Sequence, residues 1–343
     1  MIIQLNYDLC CLLFEVTQRC NALCRHCGSR CEIDSPEVLT KSDIINCLKD
    51  VKTNIGTDVM INISGGEPLM RSDIYDITKE ITDLGFDWGL VTNGLLLNDE
   101  RIEKLKDSGM KTITVSIDGF AKTHEMLRGM SSGSFDIIIE NLRKLRVAKY
   151  LDHIQVTFTV NKHNVHEFEE LYRTVLKPLR LDSVRVGFCD PIGRAEDNDD
   201  LFLSADEMNE FIVVVNRLNR GLFKRVPIIF ACSHYFGNKV MFRQFDCFTG
   251  IRSASILYNG DIYVCPNVPR DSGLVQGNIR ADSFSEVWKN GFKDLRKRKD
   301  TEPEFCKGCA HWNKCRGDSL HTWDFKNSRP KFCYSELFEK EEK

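Results

Sequence analysis

The 343-residue sequence predicts an α/β protein, a partial (β/α)6 TIM-like barrel followed by a cysteine-rich C-terminal domain. Two observations carry this prediction. Six short β-rich runs alternate with amphipathic helical stretches between residues 12 and 189, and beyond that the alternation stops while cysteines continue. Strands separated by helices imply a parallel sheet with right-handed crossovers. Six units are fewer than the eight of a closed barrel, so part of one is expected.

The expected strands are 12–16 (LLFEV), 59–63 (VMINI), 88–92 (WGLVT), 112–117 (TITVSI), 154–160 (IQVTFTV) and 184–189 (VRVGFC). Before the last of these, Val165, Phe168, Leu171, Tyr172 and Val175 recur at the period of an amphipathic helix, as Ile138, Leu142 and Leu145 do one unit earlier. Polar residues stand at the strand ends, where barrel chemistry is carried. Cys20, Cys24 and Cys27 follow the first strand, SGGEP (64–68) the second, TNG (92–94) the third and Asp118 the fourth. The expected divisions are a barrel at 10–195, a turn-rich acidic linker with one helix (205–220) at 196–235, and a cysteine-rich domain at 236–338. In the last, 253–265 reads as a hairpin turning at Asn259-Gly260. The run CKGCAHWNKC (306–315) has too few apolar positions to make a core, so something besides packing must hold it.

Hydrophobic residues at 42% and charged residues at 28% are ordinary for a soluble globular chain. A net charge of -3 gives no general attraction to nucleic acid or to an anionic membrane. The basic run at 289–300, with Phe292 and Leu295 on one side, reads as a solvated surface helix, and EKEEK at the end as a frayed tail. No stretch approaches the roughly 18 apolar residues of a membrane span, and the start lacks the basic region and cleavage site of a signal peptide. A cytoplasmic location is therefore expected, with neither nucleic acid nor membrane as a partner. Structural disulfides are rare there, so fifteen cysteines call for metal, catalysis or burial.

Cys306, Cys309, Cys315 and Cys333 supply four thiolates that either zinc or an iron–sulfur cluster would satisfy. Cys232, Cys247 and Cys265 bracket the hairpin and could hold a further centre, with no evident fourth ligand. Cys20, Cys24 and Cys27 form a compact CxxxCxxC triplet, with Cys31 just beyond it. Three thiolates on a cubane leave one iron open to an outside ligand, whereas structural zinc wants four protein ligands.

The stretch CNALCRHC resembles the CxxxCxxC signature of the radical S-adenosyl-L-methionine (SAM) superfamily. SGGEP resembles that superfamily's GGE motif, and VTNG and SIDG its third- and fourth-strand motifs. The resemblance implies a four-iron four-sulfur (4Fe-4S) cluster on Cys20, Cys24 and Cys27 with SAM on the open iron. It places His26 by the adenine and Gly65, Gly66, Glu67 and Pro68 around the SAM amino group, with Glu67 as its acceptor. Asn93, Ser116 and Asp118 would reach the methionine or ribose, and Arg128 the SAM carboxylate or the substrate. Ordinary roles compete: a buried carboxylate satisfied by loop amides for Glu67, a cap or turn for Asp118 and a salt bridge for Arg128. Cys189, ending the sixth strand, is a candidate catalytic hydrogen-atom donor or else a small buried hydrophobe.

Residues 236–338 resemble the SPASM auxiliary-cluster domain of peptide- and protein-modifying members: Cys247, Gly260 and Cys265 match its first part, and Cys306, Cys309, Cys315 and Cys333 the rest. One or two auxiliary iron–sulfur clusters are implied. The further cysteine expected beyond Cys315 is absent, since position 319 is Ser, which leaves Cys232, Asp318 or Ser319 to compensate or an iron open to bind substrate. The function implied is reductive cleavage of SAM to a 5'-deoxyadenosyl radical that takes a hydrogen atom from a ribosomally made peptide, leading to a crosslink, a thioether or an epimerised centre. The expected partners are that precursor peptide, an electron donor such as flavodoxin or ferredoxin, and a separate leader-peptide-binding protein. The competing reading is a dehydrogenase or epimerase of a small molecule such as an amino sugar or alcohol. No carboxylate stands beside Cys265 or Asn267, which lowers formylglycine formation as the reaction.

Overall fold

The computed structural model describes residues 8–36, 38–220, 226–231, 235–241, 247–270, 272–298 and 301–338. The six expected strands form within a residue of their expected ends, as β1 (Cys11–Glu15), β2 (Met60–Ser64), β3 (Trp88–Thr92), β4 (Thr112–Ser116), β5 (His153–Val160) and β6 (Ser183–Phe188). Between them run α1 (Lys41–Asn54), α2 (Ile74–Asp83), α3 (Asp99–Asp107), α4 (Ala121–Arg128), α5 (Ser134–Ala148) and α6 (Phe168–Leu171). A capping box of Thr40 and Asp43 starts α1, closing orphan amides that would otherwise face solvent.

The six strands pair in parallel and in sequence order, which is the barrel topology expected. The sheet is wider than six strands. After α7 (Ala205–Asn219), the segment read as linker adds β7 (Ile228–Phe230), parallel to β6. At the other edge, the first strand of the C-terminal hairpin, β8 (Ser253–Ile256), pairs in parallel with β1. Then β9 (Asp261–Tyr263) and β10 (Gly277–Asn278) continue antiparallel, giving a ten-stranded sheet. Strands this short carry no readable period in sequence. The hairpin turn is at the expected place, with Gly260 at φ 89.

Side chains alternate between the two faces of a strand. One face carries Leu12, Phe14, Ile61, Ile63, Ile113, Val156 and Phe158, all buried against the inner residues of the helices, including Ile44, Leu48, Ile77, Leu105, Leu142 and Phe211. Its neighbours in register form the other face, which is largely polar: Glu15 and Ser64, Thr114 and Gln155, then Ser116, Thr157 and Arg185. Packing is therefore completed on the helix side, leaving the inner side of the partial barrel free for polar contacts.

The basic run at 289–300 is not wholly solvated. It lies in α8 (Phe284–Asn290) and α9 (Lys293–Arg298), where Arg296 is buried, donates from Nε to the Gly250 carbonyl (2.9 Å) and lies over the Trp288 ring. Its last two residues and the EKEEK tail lie outside the described residues. Among the described residues, no helix is long and apolar enough to cross a membrane.

Candidate cluster and cofactor site

The loop leaving β1 holds Cys20, Cys24, Cys27 and Cys31 and is gripped from three sides. From the β2 end, Gly66 N–H donates to the Thr17 carbonyl and Glu67 N–H to that of Arg19, each at 2.8 Å. A Cβ on Gly65 would stand 2.3 Å from the Thr17 oxygen, and one on Gly66 2.2 Å from the Arg19 oxygen. Only glycine permits that approach of two backbones. From the C-terminus of α4, the Arg128 and Leu127 carbonyls accept from Leu23 N–H and Arg25 N–H at 2.9 and 2.8 Å.

The third grip comes from the acidic segment after β6. Arg194 donates from its backbone to the Cys27 carbonyl (2.9 Å), and from its guanidinium to those of Cys24 (2.7 Å) and Cys31 (2.6 Å). Arg25 pairs with Asp200 and Asn198, and Arg30 with Asp197. What the sequence offered as a linker is thus a clamp on the cysteine loop. Opposite charge in 25–30 and 196–200 was its one readable signal.

Within this frame Cys20, Ala22 and Cys31 are buried together, with Cys24, Cys27 and Met130 packed against them. Burial pushes the Cys20 thiol up, and that of Cys24 up to about 12 despite the nearby Arg128. The neighbouring Cys31 side chain holds the Cys27 thiol below the usual range. Cys31, just beyond the triplet in sequence, is therefore packed within the same group. Gathered thiols of this kind fit a thiolate-held cluster.

Glu67 is fully buried at the start of the turn that Pro68 begins. Its carboxylate accepts from Thr92 Oγ1 (2.8 and 2.9 Å), Asn93 N–H (2.8 Å) and Leu69 N–H (3.2 Å), while burial raises its pKa. Asn93 in turn donates from Nδ2 to Asn21 Oδ1 in the cysteine loop at 2.7 Å. Glu67 therefore joins the ends of β2 and β3, and through Asn93 the cysteine loop. Asn21 was not anticipated, and Thr92, within the TNG run, was given no role of its own.

Asp118 is fully buried and accepts from Arg128 Nε (2.7 Å) and Thr159 N–H (2.7 Å), with His26 Nε2 at 3.2 Å. The Arg128 guanidinium and His26 outweigh its burial and hold its carboxyl well below the usual range. Asp118 thus stands as counter-ion to Arg128 and anchor for His26. Arg128 is correspondingly no surface salt bridge: it is buried, with Nη1 3.8 Å from the Cys24 sulfur. His26 keeps Nδ1 buried and without a hydrogen-bond partner, an orphaned atom that a bound group at the cluster loop would complete. His124, also unanticipated, accepts from Asp118 N–H through Nδ1, and burial pulls its pKa down to about 3. Ser116 stands at the end of β4 on the polar face.

Cys189 is not presented at an open barrel mouth. It is buried in a small apolar cluster with Leu127, Ala195 and Leu201, and burial raises its pKa beyond the ordinary thiol range. In the C-terminal domain, Cys306, Cys309, Cys315 and Cys333 line one recess with Trp312, Gly317 and Asp318. Among the described residues no three His, Cys, Asp or Glu close on a single metal ion. Cys265 packs against the main core, and Ser319 is buried with its N–H on Asp318 Oδ1 at 2.8 Å. Cys232 lies outside the described residues. His321 and Asp190, 3.1 Å apart, tie this domain to the end of β6.

Residues 14–175 match the family model of the radical SAM superfamily, and 247–310 that of the SPASM iron–sulfur cluster-binding domain. Fold, ordered motifs and both matches agree: the chain belongs to the radical SAM superfamily and carries a SPASM domain. It is a radical SAM enzyme whose cofactors are a 4Fe-4S cluster at the SAM site, SAM, and auxiliary iron–sulfur clusters. Over 333 residues it is 29% identical to an AdoMet-dependent heme synthase of Methanosarcina barkeri, covering 89% of this chain and 90% of that one. Over 326 residues it is 29% identical to a mycofactocin maturase of Mycolicibacterium smegmatis, covering 90% and 78%. Its fold is shared with anSMEcpe bearing AdoMet (TM-score 0.75, 17% identity, 96% and 95% covered). The same holds for Streptococcus suis SuiB bound to S-adenosylmethionine (0.73, 17%, 91% and 73%).

Proposed function

We propose that this enzyme modifies a ribosomally made peptide held along the polar inner face of the partial barrel. That face is the observation that carries the reading. It offers Ser64, Thr114, Gln155, Thr157 and Arg185 in adjoining register rows, groups suited to the amides and polar side chains of a peptide. Glu15 adds to it, receiving Arg270 Nη2 at 2.8 Å from the loop after the hairpin, while Arg270 Nη1 is buried without a partner and can donate to a substrate carbonyl or carboxylate. Similarity to a mycofactocin maturase supports a peptide.

In this reading Cys20, Cys24 and Cys27 hold the first cluster, and Cys306, Cys309, Cys315 and Cys333 an auxiliary one. The bound cofactors supply a 5'-deoxyadenosyl radical that removes a hydrogen atom from the substrate. The chain supplies position. The clamp of Arg194, Arg25 and Arg30 fixes the cysteine loop, and the Glu67, Thr92 and Asn93 set fixes the SGGEP and TNG turns against it. Gly65 and Gly66 act here by letting those backbones meet, and His26 Nδ1 remains as a polar atom for SAM. An external one-electron donor of the flavodoxin or ferredoxin type reduces the cluster, and a separate protein presents the leader of the peptide.

Similarity to heme synthases favours a second reading, action on an iron porphyrin precursor of heme. Reconstituted, reduced enzyme with SAM separates them when it is offered the product of an adjacent short reading frame or iron coproporphyrin III. A mass change in the peptide alone is the expected result; a mass loss in the porphyrin alone would overturn it.

A further inference from the structure

Arg298, the last residue of α9, is half-buried behind the four-cysteine recess. Its Nη2 donates to the Gly317 carbonyl at 3.1 Å, and its guanidinium carbon lies 4.1 Å from the centre of the Trp323 ring. Gly317 is itself part of the recess wall, together with Cys306, Cys309, Cys315 and Cys333. Nε and Nη1 of the same guanidinium are buried and have no hydrogen-bond partner. Two orphaned charged N–H groups are a substantial cost in a folded protein. They are retained where something supplies acceptors, and the groups near enough to matter are Cys247, Asp318, Cys306 and Cys315, which pull the guanidinium pKa up while its burial pulls it down to about 10. A cationic fork stacked on tryptophan and fixed by one carbonyl is preorganised for an anionic sulfur-rich partner.

We infer that Arg298 is a positioning residue of the auxiliary centre, its free N–H groups facing the anionic cluster and stabilising the more reduced state of that cluster. The inference rests on the reading that Cys306, Cys309, Cys315 and Cys333 hold an iron–sulfur cluster. Adding an electron makes the cluster more negative, so a fixed guanidinium beside it favours reduction, as hydrogen bonds and charge near cluster sulfurs do generally. Loss of that cation leaves the same ligands and a lower reduction potential.

The test uses the full chain with Cys20, Cys24 and Cys27 replaced by alanine, so that only auxiliary iron is titrated. After anaerobic reconstitution, iron content is measured and the midpoint potential is read by EPR-monitored titration against dithionite. Without any auxiliary iron in this parent the cluster reading itself fails. With iron present, Arg298→Gln is expected to cut the reduced-to-oxidised ratio at the parent midpoint about tenfold, which is about 59 mV for one electron. Arg298→Lys, which keeps the charge but loses the fork, is expected to shift it in the same direction by less. An unshifted midpoint in either loaded variant overturns the inference. So does failure of both variants to take up iron, because a residue that tunes the cluster is not required to assemble it.

Discussion

Gly193→Ala tests the clamp on the cysteine loop. Gly193 has φ 58, and a Cβ there would stand 2.2 Å from the Gly28 carbonyl oxygen and 2.5 Å from that of Cys27. Both neighbours are backbone, so relief requires the loop to move away, close to an ångström before the contact is normal. That movement works against the Arg194 hydrogen bonds to Cys24, Cys27 and Cys31. A left-handed alanine costs about 1–2 kcal/mol, and forcing bulk into a packed contact about 1–3 kcal/mol, so about 2–5 kcal/mol in total is expected. Part of it is expected as lower stability of the cluster-free chain in urea, and part as weaker retention of iron at the first site. Auxiliary iron held by Cys306, Cys309, Cys315 and Cys333 serves as internal control. Wild-type urea stability together with full iron and SAM cleavage in Gly193→Ala would refute the clamp.

Three further outcomes follow from the buried network. Glu67→Gln turns one acceptor into a donor facing the Leu69 or Asn93 N–H, and should cost about 1–3 kcal/mol in urea unfolding; an unchanged midpoint would show that Glu67 does not bind these turns together. Arg128→Met leaves the Asp118 side chain buried with only His26 Nε2 and the Thr159 N–H as partners, at about 3–5 kcal/mol. The folded-state pKa of Asp118 is depressed, so its contribution is present above the ordinary carboxylate pKa and is lost as pH falls through the lower folded value. In Arg128→Met the acid side of the stability–pH curve should flatten, and a curve parallel to wild type would contradict the pairing. Cys189→Ala should cost about 1 kcal/mol by leaving a small void and leave SAM cleavage and turnover unchanged. Loss of solvent deuterium from the product, with SAM cleavage retained, would return Cys189 to the role of hydrogen donor.

The strands were legible because a sheet with one apolar face against helices writes its alternation and its spacing into the sequence. Phe14, Ile63 and Phe158 are fully buried, as their runs imply. The widening of the sheet was not legible: Ile228–Phe230 and Ser253–Ile256 are too short for a period, and β8 joins β1 across more than two hundred residues. Motif residues were easier to find than their geometry. Glu67, Asp118 and Arg128 all stand beside the cysteine loop, yet each is engaged with its neighbours, because a buried charge must be paired before it can do anything else. Arg194 and the clamping role of the acidic run after β6 were not legible because a charge run ordinarily reads as solvated linker, and only the fold shows that its partners are Arg25 and Arg30. Arg296 and Arg298 escaped for the same reason.

The assignment of Cys20, Cys24 and Cys27 as the radical-generating triplet is tested most directly by counting 5'-deoxyadenosine. Protein reconstituted with iron and sulfide and reduced in the presence of SAM should release it, while the variant with these three cysteines replaced by alanine, still holding its auxiliary iron, should release none. A fully loaded wild-type protein that leaves SAM intact, or a triple variant that cleaves it, would contradict the account.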